Sequence, residues 1–339
     1  MRGGIGAIFG AAGLAVFGAA QAEDAGFGDW SVVCDNVRTC SAYGFTAQNE
    51  DPNAYLRLTR SGAPDAAPVI TISAQGEGGA TWRLEIDGFA VADRVQPRAE
   101  QDEMYQRATL TPAQAAAVLK GLANGGILSI WRGRDIVSAI SLKGSSAALR
   151  WMDDRQKRGG TVTALVARGA KPASAVPALP EPPLVRPAAA PAQDRLPTTP
   201  PEALKYPYEG CDDDIESLGI GPQVFRLSPG VLLWQTACSR GAYNIIYDLN
   251  LTDERGGNIR PAEVVYPGGQ RTSQLMNVEF EPTAQTLANF DKARGLGDCG
   301  AFTSWVWTGR DFALKSAEIM PDCRGVPLDD WATEFVSRP

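Results

Sequence analysis

Six cysteines and a complete lack of histidine set the chemistry open to this chain of 339 residues. Without imidazole there is no Ser-His-Asp or Cys-His activation of a nucleophile, and no His-ligated zinc of the common catalytic kinds. The cysteines, Cys34, Cys40, Cys211, Cys238, Cys299 and Cys323, contain no C-x-x-C pair for thiol exchange. In an oxidising compartment an even count reads as disulfides. Six cysteines allow 15 connectivities. Proximity along the chain favours 34–40, 211–238 and 299–323, and each bridge is expected to stabilise by about 2–4 kcal/mol by restricting the unfolded chain.

Other chemical motifs fall short on their context. Gly295-Leu296-Gly297-Asp298-Cys299-Gly300 spells a dinucleotide fingerprint, but that motif works only between a strand and a helix. Here the pattern predicts a helix before it and a strand after it. Asp212-Asp213-Asp214-Ile215-Glu216 offers carboxylates to a hard cation, yet it lacks the spacing and glycine of a calcium loop and reads as a solvated acidic run. Carboxylate pairs of the glycosidase type survive the loss of histidine, but 39 acidic residues leave no pair nominated. No catalytic, cofactor-binding or metal-ligating residue is therefore assigned, and no cofactor is expected. Trp305 and Trp307 share one face of an expected strand, close to Arg294 and Asp298. These four form a candidate binding surface, since paired indoles stack sugars and aromatic ligands. In a small β domain the same pattern builds core.

The elements that position these residues are mostly strands. Alternation predicts strands over 30–34, 55–58, 69–72, 82–87, 128–131, 136–140 and 161–166. Thr111-Pro112-Ala113-Gln114 is a capping box with proline at the first helical position, opening a helix stopped by Gly125-Gly126. A second helix is expected over 145–156, with Ala148, Leu149 and Met152 inward. The basic residues Arg150, Arg155, Lys157 and Arg158, beside Asp153 and Asp154, read as its solvated, charge-paired end. Further along, strands are expected at 231–234, 245–251 and 305–307. Pro282, Leu287, Phe290 and Gly295 mark an expected helix between them.

Residues 171–205 hold ten of the chain's 24 prolines. Such a tract favours polyproline II and reads as a spacer reaching roughly 100 Å, at about 3.1 Å per residue, between independent domains. The expected organisation is a signal peptide over 1–22, a β-rich domain with two helices over 23–170, the Pro/Ala-rich linker over 171–205, and a disulfide-bonded β-rich domain over 206–339. The fold class is mainly β with a few helices, in two antiparallel β domains of sandwich or open-barrel type.

Export is expected from the first 22 residues. Arg2 precedes an uncharged apolar run from Ile5 to Ala20, and Ala20-Gln21-Ala22 supplies a small-x-small site for cleavage before Glu23. The run is short for a spanning helix, so no stable membrane insertion is expected after cleavage. The net charge of −7 gives no attraction for nucleic acid or anionic lipid. With no histidine to titrate, stability is expected to be nearly flat between about pH 6 and 8.

Gly28-Asp29-Trp30-Ser31-Val32-Val33-Cys34-Asp35-Asn36 followed by Thr39-Cys40-Ser41-Ala42, together with Arg240-Gly241-Ala242-Tyr243-Asn244, resembles a bacterial envelope family known as domain of unknown function 1176. So do the segments 140–149 and 294–300 with Trp305-Val306-Trp307. The first half is also similar to the invasion-associated locus B family, through the W-x-V-x-C start and Leu142-Lys143-Gly144. The first resemblance implies a periplasmic or secreted protein with no catalytic residues to carry over; the second implies a role at the cell envelope. Together these features point to a non-enzymatic envelope protein that binds an envelope protein or a cell-wall component. A carboxylate-based glycan hydrolase and a structural or adhesin-like surface protein are the alternatives.

Overall fold

The computed structural model describes residues 23–339 apart from 49, 52, 77–78, 100–104, 206–210 and 213–214. The expected signal peptide lies outside the described residues. The first half holds β1 (Glu23–Phe27), β2 (Trp30–Cys34), β3 (Cys40–Phe45), β4 (Ala54–Arg60), β5 (Val69–Gln75), β6 (Trp82–Ile86), β7 (Phe89–Val95), β8 (Arg98–Ala99) and β9 (Tyr105–Thr109). Then come α1 (Pro112–Leu122), β10 (Ile127–Arg132), β11 (Asp135–Ser141) and α2 (Ser145–Arg155). The strands form two antiparallel sheets, ordered β1-β2-β3-β4-β5-β9-β8 and β11-β10-β6-β7.

The larger sheet is buried on both faces. On one face Trp30, Val32, Leu56, Leu58, Ile70 and Ile72 meet the second sheet and both helices. On the other, Val33, Tyr43, Phe45, Tyr55 and Tyr105 meet Met320, Val326, Trp331 and Ala332 from the far end of the chain. Period-two alternation sends successive side chains to opposite faces. That is why every residue of β2 and β3 is buried, with no polar face left for solvent.

The second half contains β12 (Gln223–Ser228), β13 (Val231–Arg240), β14 (Ile245–Thr252), β15 (Arg260–Pro261), β16 (Val264–Val265), β17 (Arg271–Thr272) and β18 (Gln274–Met276). These are followed by β19 (Glu279–Glu281), β20 (Thr286–Lys292), β21 (Gly300–Trp307), β22 (Phe312–Met320) and β23 (Ala332–Val336). One antiparallel sheet runs β12-β13-β14-β15 with β18 also on β14, a second runs β19-β20-β21-β22-β23, and β16 pairs with β17. The fold is mainly β with open antiparallel sheets.

Three elements differ from expectation. The segment 282–295 forms a strand, β20, rather than a helix. Leu287 and Phe290, three apart, look like one helical face, but they enter different cores on opposite sides of the strand. Pro282 and Gln285, the latter at φ 51°, belong to the hairpin turn before it. Second, 161–166 is not a strand. Its amides at Leu165, Val166 and Ala167 instead donate to the buried carboxylate of Asp153 at 2.8, 2.9 and 3.1 Å. Third, the basic end of α2 is not uniformly solvated. Arg158 is fully buried and donates to the carbonyls of Pro64 and Ser61 and to Thr163 Oγ1 at 2.7, 3.2 and 2.9 Å. Asp153 pairs with buried Arg60 at 2.8 Å, whose guanidinium burial lowers to about 10.

The proline-rich segment is bound rather than free. Arg38 donates to the carbonyl of Pro177 at 2.9 Å. Val185 and Arg338 exchange backbone bonds with each other's neighbourhood, Val185 N to Arg338 O at 2.8 Å and Arg338 N to Pro183 O at 2.9 Å. Ala188 N donates to Trp307 O at 2.7 Å, and Leu196 and Leu204 pack on Leu232 and Trp234. Proline lacks the donor needed inside a sheet, but it can lie as a strap along one.

The halves are joined most tightly at Asp330. This residue is 3% exposed and receives Tyr55 Oη at 2.5 Å, Arg57 at 3.1 Å and Arg107 at 2.5 Å. Tyr43 Oη donates to its carbonyl at 2.6 Å. Independent unfolding of two domains on a spacer is therefore not expected. Cleavage between Pro180 and Pro197 should leave the halves co-eluting in gel filtration and melting together. Asp330→Asn should lower stability by about 3 kcal/mol, the lower end of the cost of breaking a buried pair, because the arginines are partly exposed. Denaturant unfolding measures the loss, and separate elution of the nicked halves would refute the shared core.

Candidate functional site

The candidate surface of Trp305, Trp307, Arg294 and Asp298 is not a surface at its aromatic residues. Trp305 and Trp307 are 0% and 1% exposed and sit in the core of the second half. Their indole N–H groups are spent on Val265 O and Ser228 Oγ, each at 2.8 Å. Alternation puts them on one face as expected, and that face is inward. Arg294 grips Asp298 through Nε at 2.6 Å and through a second nitrogen at 2.5 Å. Asp298 also accepts from Gly325 N at 2.7 Å. The Arg294 guanidinium and that amide hold the Asp298 carboxyl below its ordinary value against the opposing effect of burial. The pair fastens one loop to another.

The fingerprint-like run 295–300 lies between two antiparallel strands, β20 and β21. No helix follows to present amides to a pyrophosphate. The cysteines pair as Cys34–Cys40, Cys211–Cys238 and Cys299–Cys323. Among the described residues, Cys211, Cys238 and Asp248 place ligand-type atoms within 4.8 Å of one another. Two of the three are tied in a disulfide, so they offer no thiolate. Asp212 of the acidic run accepts from Arg240 N at 2.9 Å, while Asp213 and Asp214 lie outside the described residues.

A cleft of about 430 Å³, lined by apolar residues such as Ile246, Leu275 and Met276 as well as polar ones, lies beside Tyr266 instead. Tyr266 crosses Trp305 edge-on, with ring centroids 5.1 Å apart, so the buried indole props the tyrosine at the cleft wall. Along β20, Asn289 and Asp291 are two residues apart and face the same way. Asn289 Nδ2 donates to Asp291 Oδ1 at 2.7 Å and approaches Tyr266 Oη at 3.0 Å. The opposite strand comes close only because Gly300 has no side chain: a Cβ there would stand 1.9 Å from the Asp291 carbonyl. Gln270, Thr272 and Gln274 from the β17–β18 region and Glu334 from β23 complete the rim.

No cation lines this cleft. Burial is therefore unopposed by a counter-charge and pushes Asp291 up to about 6, against the lowering effect of Asn289 and Tyr266. Glu334 is raised as well, by burial and by the nearby charge of Asp24. The two carboxylates stand on strands well apart in the sheet. Register links Asp291 to Ala301, Ala301 to Ile319 and Ile319 to Ala332, so Glu334 lies three strand spacings away. That is roughly 14 Å between backbone positions along the sheet, against about 5–9.5 Å between the carboxyl groups of glycosidase pairs. The cluster was hidden in the sequence because β20 reads as a helix, which puts Asn289 and Asp291 on different faces.

Residues 24–338 match the family described as "Protein of unknown function (DUF1176)". The chain belongs to that family. It is 30% identical over 342 residues to "Uncharacterized protein YpfG" of Escherichia coli (strain K12), with 94% of each chain covered. A structure search also finds invasion associated protein b from Bartonella henselae, at 18% identity and a TM-score of 0.29. The match covers 40% of this chain and 99% of that one, and nothing further rests on it.

The cleft changes the expected pH response. Asp291 and Asp35 are both raised by burial from 3.8 to about 6, Asp35 despite accepting from Val37 and Thr39 amides. A carboxyl with a raised folded pKa stabilises fully below its unfolded value, and this contribution is lost as pH rises through the folded one. Lowered groups such as Asp298 and Asp311 act oppositely, only below about pH 4. The melting temperature should therefore rise between pH 7.5 and 5 rather than stay flat. Asp291→Asn should remove part of that slope, read by scanning calorimetry at both pH values. An unchanged slope would show that Asp291 titrates normally.

Proposed function

We propose that this DUF1176 protein is an exported, non-enzymatic binding module of the cell envelope, and that the cleft beside Tyr266 takes a neutral saccharide of a cell-wall component. The observation that carries the reading is the Asp291 carboxyl at the cleft, half-buried, with no cation in the lining, held by Asn289 and beside the Tyr266 hydroxyl. A polar group facing an opening is completed by water or by a hydroxyl-rich ligand. Tyrosine, amide and carboxyl groups supply the mixed donors and acceptors that sugar hydroxyls require. Export is supported by three disulfides, which persist in oxidising compartments. In addition, no helix among the described residues is long and apolar enough to cross a membrane.

The hydrolase alternative retains one favourable feature, a carboxyl raised toward neutrality, which is the state a general acid needs. Its partner carboxylate, Glu334, is carried three strands away, so binding is the reading adopted. Ligand-detected NMR with soluble peptidoglycan glycan fragments should show saturable binding to the full chain. Tyr266→Ala or Asp291→Asn should weaken that binding at least ten-fold, with the fold retained by circular dichroism. Binding unaffected by both variants would remove the cleft from the argument, and turnover of the fragments would install the hydrolase in its place.

A further inference from the structure

A second opening lies in the first half, and its charged lining residues are cations where those of the first cleft are carboxylates. Its volume is about 910 Å³, within the range of sites that enclose small molecules. Its apolar lining comes from Pro68, Val69, Leu110, Ala116, Leu119 and Leu165. Val69 is 51% exposed, although it begins a strand whose other hydrophobic residues are buried. The charged groups of the lining are Lys120, Arg150 and Arg168, and no carboxylate accompanies them. Among the described residues none of the three is ion-paired, although Arg168 Nε is held by Ala164 O at 3.0 Å. In a chain of net charge −7, three unopposed cations beside an apolar trough are a local reversal of charge.

We propose that this groove binds one fatty acid, with the acyl chain along α1 and the carboxylate among Lys120, Arg150 and Arg168. The proposal is independent of the saccharide cleft. The walls argue against an extended peptide. β5 is hydrogen-bonded to β4 on one side and β9 on the other, so no strand edge is free for augmentation. The neutral polar lining is limited to Thr109, Asn124 and Ser146, too few donors and acceptors for a large sugar or glycerol head. The N-terminus of α1 is also committed, because Thr111 and Gln114 close a reciprocal cap. A compact monovalent head on a single chain fits what is left: apolar burial supplies affinity and the cations select charge.

Isothermal titration of the full chain with sodium laurate below its micellar concentration tests this, with 1-dodecanol and a lauroyl lysophospholipid as comparison ligands. Saturable one-to-one binding of laurate, at least ten-fold tighter than dodecanol and the lysophospholipid, is the expected result. Ala116→Trp, at an exposed position of α1, should fill the groove and abolish binding. The triple substitution Lys120→Gln, Arg150→Gln, Arg168→Gln should reduce laurate to the affinity of dodecanol. Both variants alter surface positions, and an unchanged melting temperature would show that they fold. Tyr266→Ala should bind laurate normally, which separates this site from the saccharide cleft. No laurate binding, equal binding in Ala116→Trp, or preference for the lysophospholipid would overturn the proposal.

Discussion

One buried carboxylate holds the two halves of this molecule in register. Asp330 contributes little to any apolar cluster, yet it takes two guanidinium groups and a tyrosine hydroxyl from strands of the opposite half. An ion removed from water at that depth is tolerated only when its lone pairs are satisfied in fixed geometry. Arg57, Arg107 and Tyr55 can satisfy it together only if β4 and β9 lie side by side with β5 between them, as they do. The contact therefore acts as a geometric key. Sliding the halves would strand three charged groups at once, whereas an apolar contact of the same area would slip at small cost.

The same interface gives the large sheet its unusual composition. A sheet covered on one face would alternate apolar and polar residues, but this one is sandwiched between its own half and the other. Its outward residues Tyr43, Phe45, Tyr55 and Tyr105 are large aromatics because they are buried at the join, where a tyrosine also carries a polar tip. Tyr43 and Tyr55 end on Asp330, and Arg324 crosses back to the carbonyl of Thr46 at 2.7 Å. The strap formed by the proline-rich segment follows from this arrangement. Rich in proline, the segment forms no extended strand and is tied along the fold by single backbone bonds, at Val185 to Arg338 and at Ala188 to Trp307.

What the sequence made legible was local, and what it hid was relational. The capping box at Thr111, the start of α2 and most strands of the first half follow from spacing and turn residues, and the structure has them where expected. The helix expected at 282–295 failed because three-residue spacing of Leu287 and Phe290 also arises when a strand feeds two different cores. The strand expected at 161–166 failed because a buried carboxylate, Asp153, captured the amides that a sheet would have used. Asp330, Asp153 and Asp291 are alike in sequence, each an aspartate among many. Their roles are set by partners that lie from 2 to 287 residues away, and the distant ones leave no local pattern.

Those three aspartates also show why the cleft stands apart as a site. Asp153 is buried against Arg60 and three backbone amides, and Asp330 against two arginines. Each has a complete set of charged or backbone donors and no room for a ligand. Asp291 is half-buried on β20 with one good hydrogen bond, from Asn289, and it opens onto a cleft whose lining offers no cation. Desolvation without compensation costs free energy in the unliganded protein. Asp153 and Asp330 are held by charged partners, whereas Asp291 faces an opening beside a propped tyrosine with no cation in the lining. A saccharide bound as proposed would meet Tyr266 already held edge-on against Trp305 and Asp291 already fixed by Asn289.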